Sequence, residues 1–330
     1  MFSHNSKQHI VRAMELAGIF SLVRQWNKPR LRAALYHRFS EYKNAGFVSR
    51  ATFAEQIRYA RKTFRIVHPD KLFHEGSKWD DAMVITVDDG YRDFYDVAYP
   101  ILRESSVPAI VYLTTDFVDG KSWLWFDKVD FLTRAAGGRR FHFPPLDVGK
   151  KFDRNDTPRI LRKLKTVGTQ ERDAQIVKLS EDLGIPIPAS PPNDYLPLSW
   201  EQIREMAANG IAFGSHTCAH PILTQSETGE AKSEILGSKQ RIQQELGKPV
   251  TSFAYPNGDY STSVKQMIAE SGYGYSFSCD YGFISSHDDR YTLSRIPIGD
   301  RPLIYFRQEM SGVDILKHRV RGFFRSAKRR

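Results

Sequence analysis

Short apolar runs recur along the chain, and most are followed by a stretch with helical spacing. Met83-Val84-Ile85-Thr86-Val87 precedes a helical pattern from Tyr91 toward Arg103, and Pro108-Ala109-Ile110-Val111-Tyr112-Leu113 reads as the next strand. A helix beginning near Ser199 and stopped by Gly210 leads into the run Ile211-Ala212-Phe213-Gly214, after which a long helix covers about Thr228 to Leu246. A strand at about 31–39 precedes a helix carrying Phe53, Ile57 and Tyr59, and Ser261 caps a further helix. Strand and helix in alternation specify an α/β fold with a parallel sheet or barrel. With 330 residues and 41% hydrophobic content, the chain is long enough to bury the core of such a barrel. Cys218 and Cys279 are the only cysteines, so no disulfide framework is indicated.

The alternation breaks between about 119 and 197. That stretch opens with Trp123-Leu124-Trp125-Phe126-Asp127, contains the basic run Arg159 to Lys165, and ends in the proline-rich Ile185-Pro186-Ile187-Pro188-Ala189-Ser190-Pro191-Pro192. It reads as a mostly helical insertion beside the mouth of the fold. Trp123 and Trp125 are suited to stacking on sugar rings, but aromatic residues in an insertion more often pack it onto its domain.

Two apolar runs end in chemistry. Asp88-Asp89-Gly90 follows the first, with Gly90 permitting a tight exit that holds both carboxylates at the strand's C-terminal end. His216 and His220 follow another, and a single helical turn there places both imidazoles on one face with Cys218 turned away. Two imidazoles and one carboxylate leave open positions on a divalent cation, as a catalytic metal requires, and a second carboxylate is left free to take a proton. Either motif alone is common as turn or surface chemistry. Their conjunction, with a third strand-to-loop segment Ser252-Phe253-Ala254-Tyr255-Pro256-Asn257-Gly258, is far more specific.

On these motifs the chain resembles the polysaccharide deacetylases of the NodB-homology group, carbohydrate esterase family 4, from about Leu31 to about Ile298 with a long insertion. The resemblance implies a distorted (β/α) barrel of fewer than eight strands. It implies Asp88 as catalytic base, with Asp89, His216 and His220 as metal ligands, and Thr217 bracing the loop between the histidines. The family's third motif commonly carries an arginine that orients the base; here the aligned residue is Ala254, and Arg295 in Leu293-Ser294-Arg295-Ile296-Pro297 is the candidate replacement. The late leucine-x-x-histidine motif that supplies a general acid has no convincing equivalent. Ile315-Leu316-Lys317-His318 fits it in letters only, and His37, at the end of the first strand, is better placed, with a structural or substrate-positioning role favoured there over that of proton donor. The family's oxyanion donor is a backbone N–H of the third motif; Pro256 has none, which leaves Asn257. The implied reaction is metal-dependent hydrolysis of an N-acetyl group on a polysaccharide, oligosaccharide or lipid-linked glycan precursor, with Zn2+ the expected ion and Co2+, Ni2+ or Fe2+ also compatible with the donor set.

The ends of the chain carry the excess of positive charge, +10 overall. Residues 317–330 contain no acidic residue and interleave Val320, Phe323 and Phe324 with Lys and Arg. Near the start, Ile10, Met14, Leu16, Ala17, Ile19, Phe20, Leu22 and Val23 suit an amphipathic helix with Arg12 and Arg24 toward water, too polar to span a bilayer and unlike a secretory signal. The expected organisation is an arm at 1–30, a barrel at 31–310 and a basic tail at 311–330, in a cytoplasmic protein resting peripherally on the anionic inner face of a membrane. Two other readings stay open at this level: a catalytically silent carbohydrate-binding barrel, and an O-acetyl esterase on the same scaffold. Charge also admits a nucleic-acid binder, but no recognised binding module is present.

Overall fold

A computed structural model of the chain describes residues 4–44, 46–73, 79–138 and 156–315. Seven parallel strands close into a barrel: β1 (Arg32–Tyr36), β2 (Ala82–Val87), β3 (Ala109–Leu113), β4 (Ile211–Ser215), β5 (Ser252–Ala254), β6 (Tyr275–Tyr281) and β7 (Leu293–Pro297). Neighbours follow chain order, and β1 closes the ring by pairing with β2 from Arg32↔Met83 to Tyr36↔Val87 and with β7 at Ala34↔Ile296. A two-residue strand, Arg65–Ile66, adds to the start of β2.

The period of two along each strand sorts the side chains. Ala33, Val84, Ile110, Tyr112, Ala254, Phe277 and Leu293 fill the barrel, whereas Ala34, Tyr36, Met83, Ile85, Val87, Val111, Phe213, Phe253 and Ile296 belong to the outer core under the helices. Both faces of β2 and β3 are fully buried, which is why their sequences read as unbroken apolar runs. Gly214 is required inside: a Cβ there would lie 2.4 Å from the Tyr112 ring and 2.8 Å from Ser252 Oγ.

The covering helices include α3 (Arg50–Thr63), α4 (Tyr99–Ser105), α9 (Trp200–Ala208), α10 (Thr228–Leu246), α11 (Thr262–Glu270) and α12 (Leu303–Ser311). Their starts follow their sequence signals: Ser199 and Gln202 form a reciprocal capping box on α9, and Ser261 caps α11. The turn from β2 into α4 departs from a plain helix, because Phe94–Ala98 is a π-helical segment. The short α5 (Thr115–Val118) leads into the insertion, whose described helices α6 (Trp125–Ala136), α7 (Thr157–Leu164) and α8 (Thr169–Leu183) pack on Trp125, Leu132, Ile160 and Leu179. Trp123 is buried against Phe131 and Tyr195. Both tryptophans are packing residues.

The start of the chain differs from the single amphipathic helix expected of it. Gly18, at φ 73°, divides it into α1 (His4–Leu16) and α2 (Ile19–Trp26). Arg24 is not turned to water: it bonds the Thr63 carbonyl and Asp81, both at 3.2 Å. The basic tail from 316 onward, with His318, lies outside the described residues. No described helix is long and apolar enough to cross a membrane.

Candidate active site

Asp88 continues the inward phase of Val84 and Thr86 one step beyond the end of β2, and its N–H still donates to the Tyr36 carbonyl at 3.0 Å. Asp89 breaks the strand with φ 77° and Gly90 completes the turn at φ 88°. The left-handed backbone at a non-glycine residue is a strained arrangement. It places two adjacent carboxylates in different positions at the same barrel mouth.

The histidine segment is not a helical turn. Thr217 and His220 have φ of 69° and 58°, values that exclude a continuing right-handed helix. The segment is a tight loop held from both sides. Thr217 Oγ1 accepts the His220 N–H at 3.0 Å and donates to the His216 carbonyl, while Glu234 Oε2 of α10 accepts the N–H groups of Cys218 at 2.8 Å and Ala219 at 2.9 Å. The loop nevertheless brings the two Nε2 atoms together: each lies 3.5 Å from Asp89 Oδ1.

These three donors fit a divalent cation. Bonds of the length zinc forms with N and O require ligand atoms about 3.3 Å apart in a tetrahedron, close to the spacing observed. His216 Nδ1–H donates to the Ala254 carbonyl at 2.7 Å, which fixes the tautomer and leaves Nε2 as the free lone pair. Burial, then the adjacent His216, lowers the His220 pKa to about 3, so this imidazole stays neutral. Against burial, the Asp89 hydrogen bond and the negative charges of Asp88 and Asp89 raise that of His216. Phe126 packs edge-on against His220, with ring centroids 5.1 Å apart.

Arg295 reaches Asp88 from β7 and holds it bidentately, Nη1 to Oδ1 at 2.7 Å and Nη2 to Oδ2 at 2.8 Å. The pair is buried, with both side chains at most 2% exposed. The guanidinium is itself fixed by the Ser278 carbonyl at 2.9 Å from Nε, and it lies at the point where the β6–β7 register shifts. Burial would lift the Asp88 carboxyl, but the Arg295 charge, His216 and the Arg295 hydrogen bonds outweigh it and hold the group below its ordinary value. Asp88 is thus an ionised carboxylate with lone pairs to spare.

His37 is exposed on the rim, where it lines a cavity of about 470 Å³ with Arg38, Lys43, Asn44, Ile298 and Asp300. Asn257 adopts φ 57° in the loop that begins at Ala254, and its buried Nδ2 has no partner among the described residues. A cluster absent from the sequence reading lies alongside. Tyr91 donates to Asp127 at 2.7 Å, and the Arg38 guanidinium stacks 3.8 Å from the Tyr91 ring while pairing with Asp93 at 2.6 Å. Burial raises the Asp127 carboxyl to about 7, with Arg38 and Tyr91 opposing the shift. The proximity of Tyr91 to the Asp-Asp turn was the available signal; Asp127 had none.

The known proteins agree on what this scaffold is. The family model for polysaccharide deacetylase matches residues 75–276. YxkH of Bacillus subtilis (strain 168), whose name assigns it provisionally to the polysaccharide deacetylases, is 29% identical over 101 residues, which is 31% of this chain and 36% of that protein's length. The Streptococcus pyogenes deacetylase PplD, solved in complex with acetate, is 19% identical with a TM-score of 0.55 over 82% of this chain and 92% of its own. A de-N-acetylase from Aggregatibacter actinomycetemcomitans is 15% identical with a TM-score of 0.52 over 81% and 94%. With a family model covering more than half of its residues, and a closed parallel barrel that matches the solved deacetylases, this chain belongs to the polysaccharide deacetylase family of hydrolases.

Proposed function

We propose that this chain removes N-acetyl groups from a sugar of a cell-surface polysaccharide or its oligosaccharide or lipid-linked precursor, with a divalent metal, zinc foremost, held by Asp89, His216 and His220. The observation that carries this reading is the buried Arg295–Asp88 pair beside the Asp89–His216–His220 cluster. A structural metal would need no ionised carboxylate poised next to it, and a carbohydrate-binding barrel would need no base. When bound, the ion supplies Lewis-acid polarisation of the acetyl carbonyl and lowers the pKa of a coordinated water.

The chain's own residues supply the remainder. Asp88, kept ionised by Arg295, accepts the proton released during attack. Arg295 acts through Asp88 as a positioning residue, and Thr86 Oγ1, 3.4 Å from its Nη1, steadies it further. Asn257 offers donors to the oxyanion from a loop that is already tied to His216 through Ala254. His37 on the rim contacts the sugar or donates a proton to the leaving amine. The fold's likeness to a de-N-acetylase and to a deacetylase solved with acetate supports N-acetyl as the group removed.

The test is metal content by elemental analysis, paired with acetate release from N-acetylated sugar oligomers before and after chelation. Stoichiometric metal with release that chelation abolishes is expected. Bound metal without release from any N-acetylated glycan, with release from O-acetylated ones instead, would move the reading to the esterase, and failure to bind metal after reconstitution would overturn it.

A further inference from the structure

The hairpin of α1 and α2 presents an outer face that the fold does not use. Its inner face is fully engaged: Val11 and Phe20 bury against Val313, with Ile304 and Tyr305 of α12 packed alongside. Away from that contact the hairpin leaves Leu16 89%, Trp26 73%, Leu22 70% and Ile10 46% exposed, and these are four of the seven large apolar side chains exposed among the described residues. Leu22 and Trp26 lie one turn apart and share a face of α2. Apolar residues grouped in this way mark an interaction surface rather than chance exposure.

Charge selects the partner. Glu15, the one acidic residue before position 31, is tied to Arg307 at 2.6 Å, and Arg24 is tied to Asp81. Arg12, Lys28 and Arg30 have no acidic partner among the described residues. The end of α12 meets the same hairpin, since Asn27 Nδ2 donates to the Ser311 carbonyl at 3.3 Å. A second copy of this face would meet its own positive charge. We propose that the exposed side of the α1–α2 hairpin docks on an anionic lipid bilayer, its apolar side chains entering the headgroup boundary and its cations pairing with lipid phosphates.

The placement has a directional consequence. Arg24 and Lys28 contact Asp81, immediately before β2, whereas Asp88 and Asp89 follow the other end of that strand. Docking therefore leaves the barrel mouth, at the opposite end of the strands, open to solution.

Cosedimentation of the full chain with vesicles of phosphatidylcholine alone, and of phosphatidylcholine with phosphatidylglycerol, tests the proposal without reference to catalysis. Binding only to the anionic vesicles, weakened by salt, is expected. The double variant Leu22→Ser/Trp26→Ser should bind at least about tenfold more weakly with an unchanged melting temperature, and Arg12→Gln/Lys28→Gln should lose much of the salt dependence. Wild-type affinity in the apolar double variant, or no sedimentation with anionic vesicles, would overturn the docking face. So would a dimer in light scattering that the same double variant dissociates, because the face would then belong to a second copy.

Discussion

The ionic pair at the base of the site sets the behaviour of single substitutions. Asp88→Asn preserves shape while removing the proposed proton acceptor, so acetate release should fall by about 10²–10⁴-fold with metal content by elemental analysis unchanged. Arg295→Met leaves a buried carboxylate unpaired, and chemical denaturation should show a loss of about 3–5 kcal/mol. In that variant, whatever activity survives should require higher pH, because Arg295 holds the Asp88 carboxyl down and the proposed base works only when ionised. Arg295→Lys should recover part of the stability and less of the activity, since an ammonium cannot reproduce the bidentate fork. Asp127 gives the opposite sign. Its folded value of about 7 lies above the ordinary 3.8, so its contribution is fully present below about pH 4 and is lost as the pH rises to about 7. Thermal melts of wild type and Asp127→Asn across pH 4–8 should therefore run close together at low pH, where both side chains are neutral, and separate toward neutrality as the wild type alone loses stability; parallel curves would remove Asp127 as the cause.

At the scale of elements, the strand ends were readable because barrel strands buried on both faces have an unmistakable composition and stop abruptly at polar residues, as β2 does at Asp88. The loop after β4 was not. A four-residue histidine spacing is the helical spacing, and nothing local in Thr217-Cys218-Ala219 announces that Thr217 and His220 adopt left-handed backbone. Glu234, on α10, holds that loop and is invisible to a reading of the motif alone. The barrel interior makes its own demand at Gly214. Gly214→Ala must displace the Tyr112 ring and Ser252, and should lower stability by about 1–3 kcal/mol in denaturant melts; an unaffected midpoint would mean that β3 and β4 yield more easily than their close packing at Gly214 implies.

For the whole molecule, the proposed metal would be linked to the fold. An ion that binds the assembled Asp89, His216 and His220 but not the unfolded chain adds about 2.7 kcal/mol at a hundredfold excess over its Kd. Differential scanning fluorimetry should accordingly register a rise of several degrees on adding zinc, reversed by chelator and absent in His216→Ala. The proposed ligands come from the turn after β2 and the loop after β4, so this gain reports on the packing of β2, β3 and β4 together rather than on one loop.

The sequence by itself determined the alternating α/β architecture, the acidic and histidine motifs at strand ends, the helical insertion and the charge at the termini, because each is written in periodicity or in neighbouring residues. Tertiary structure alone decided what lies across the barrel. It set Arg295 on Asp88 over 207 positions of chain, the Ala254 carbonyl behind His216, Asp127 beneath Tyr91 and the split of the first helix that turns Leu22 and Trp26 outward. Such contacts depend on barrel closure and register, which couple strands far apart in sequence and leave no local pattern.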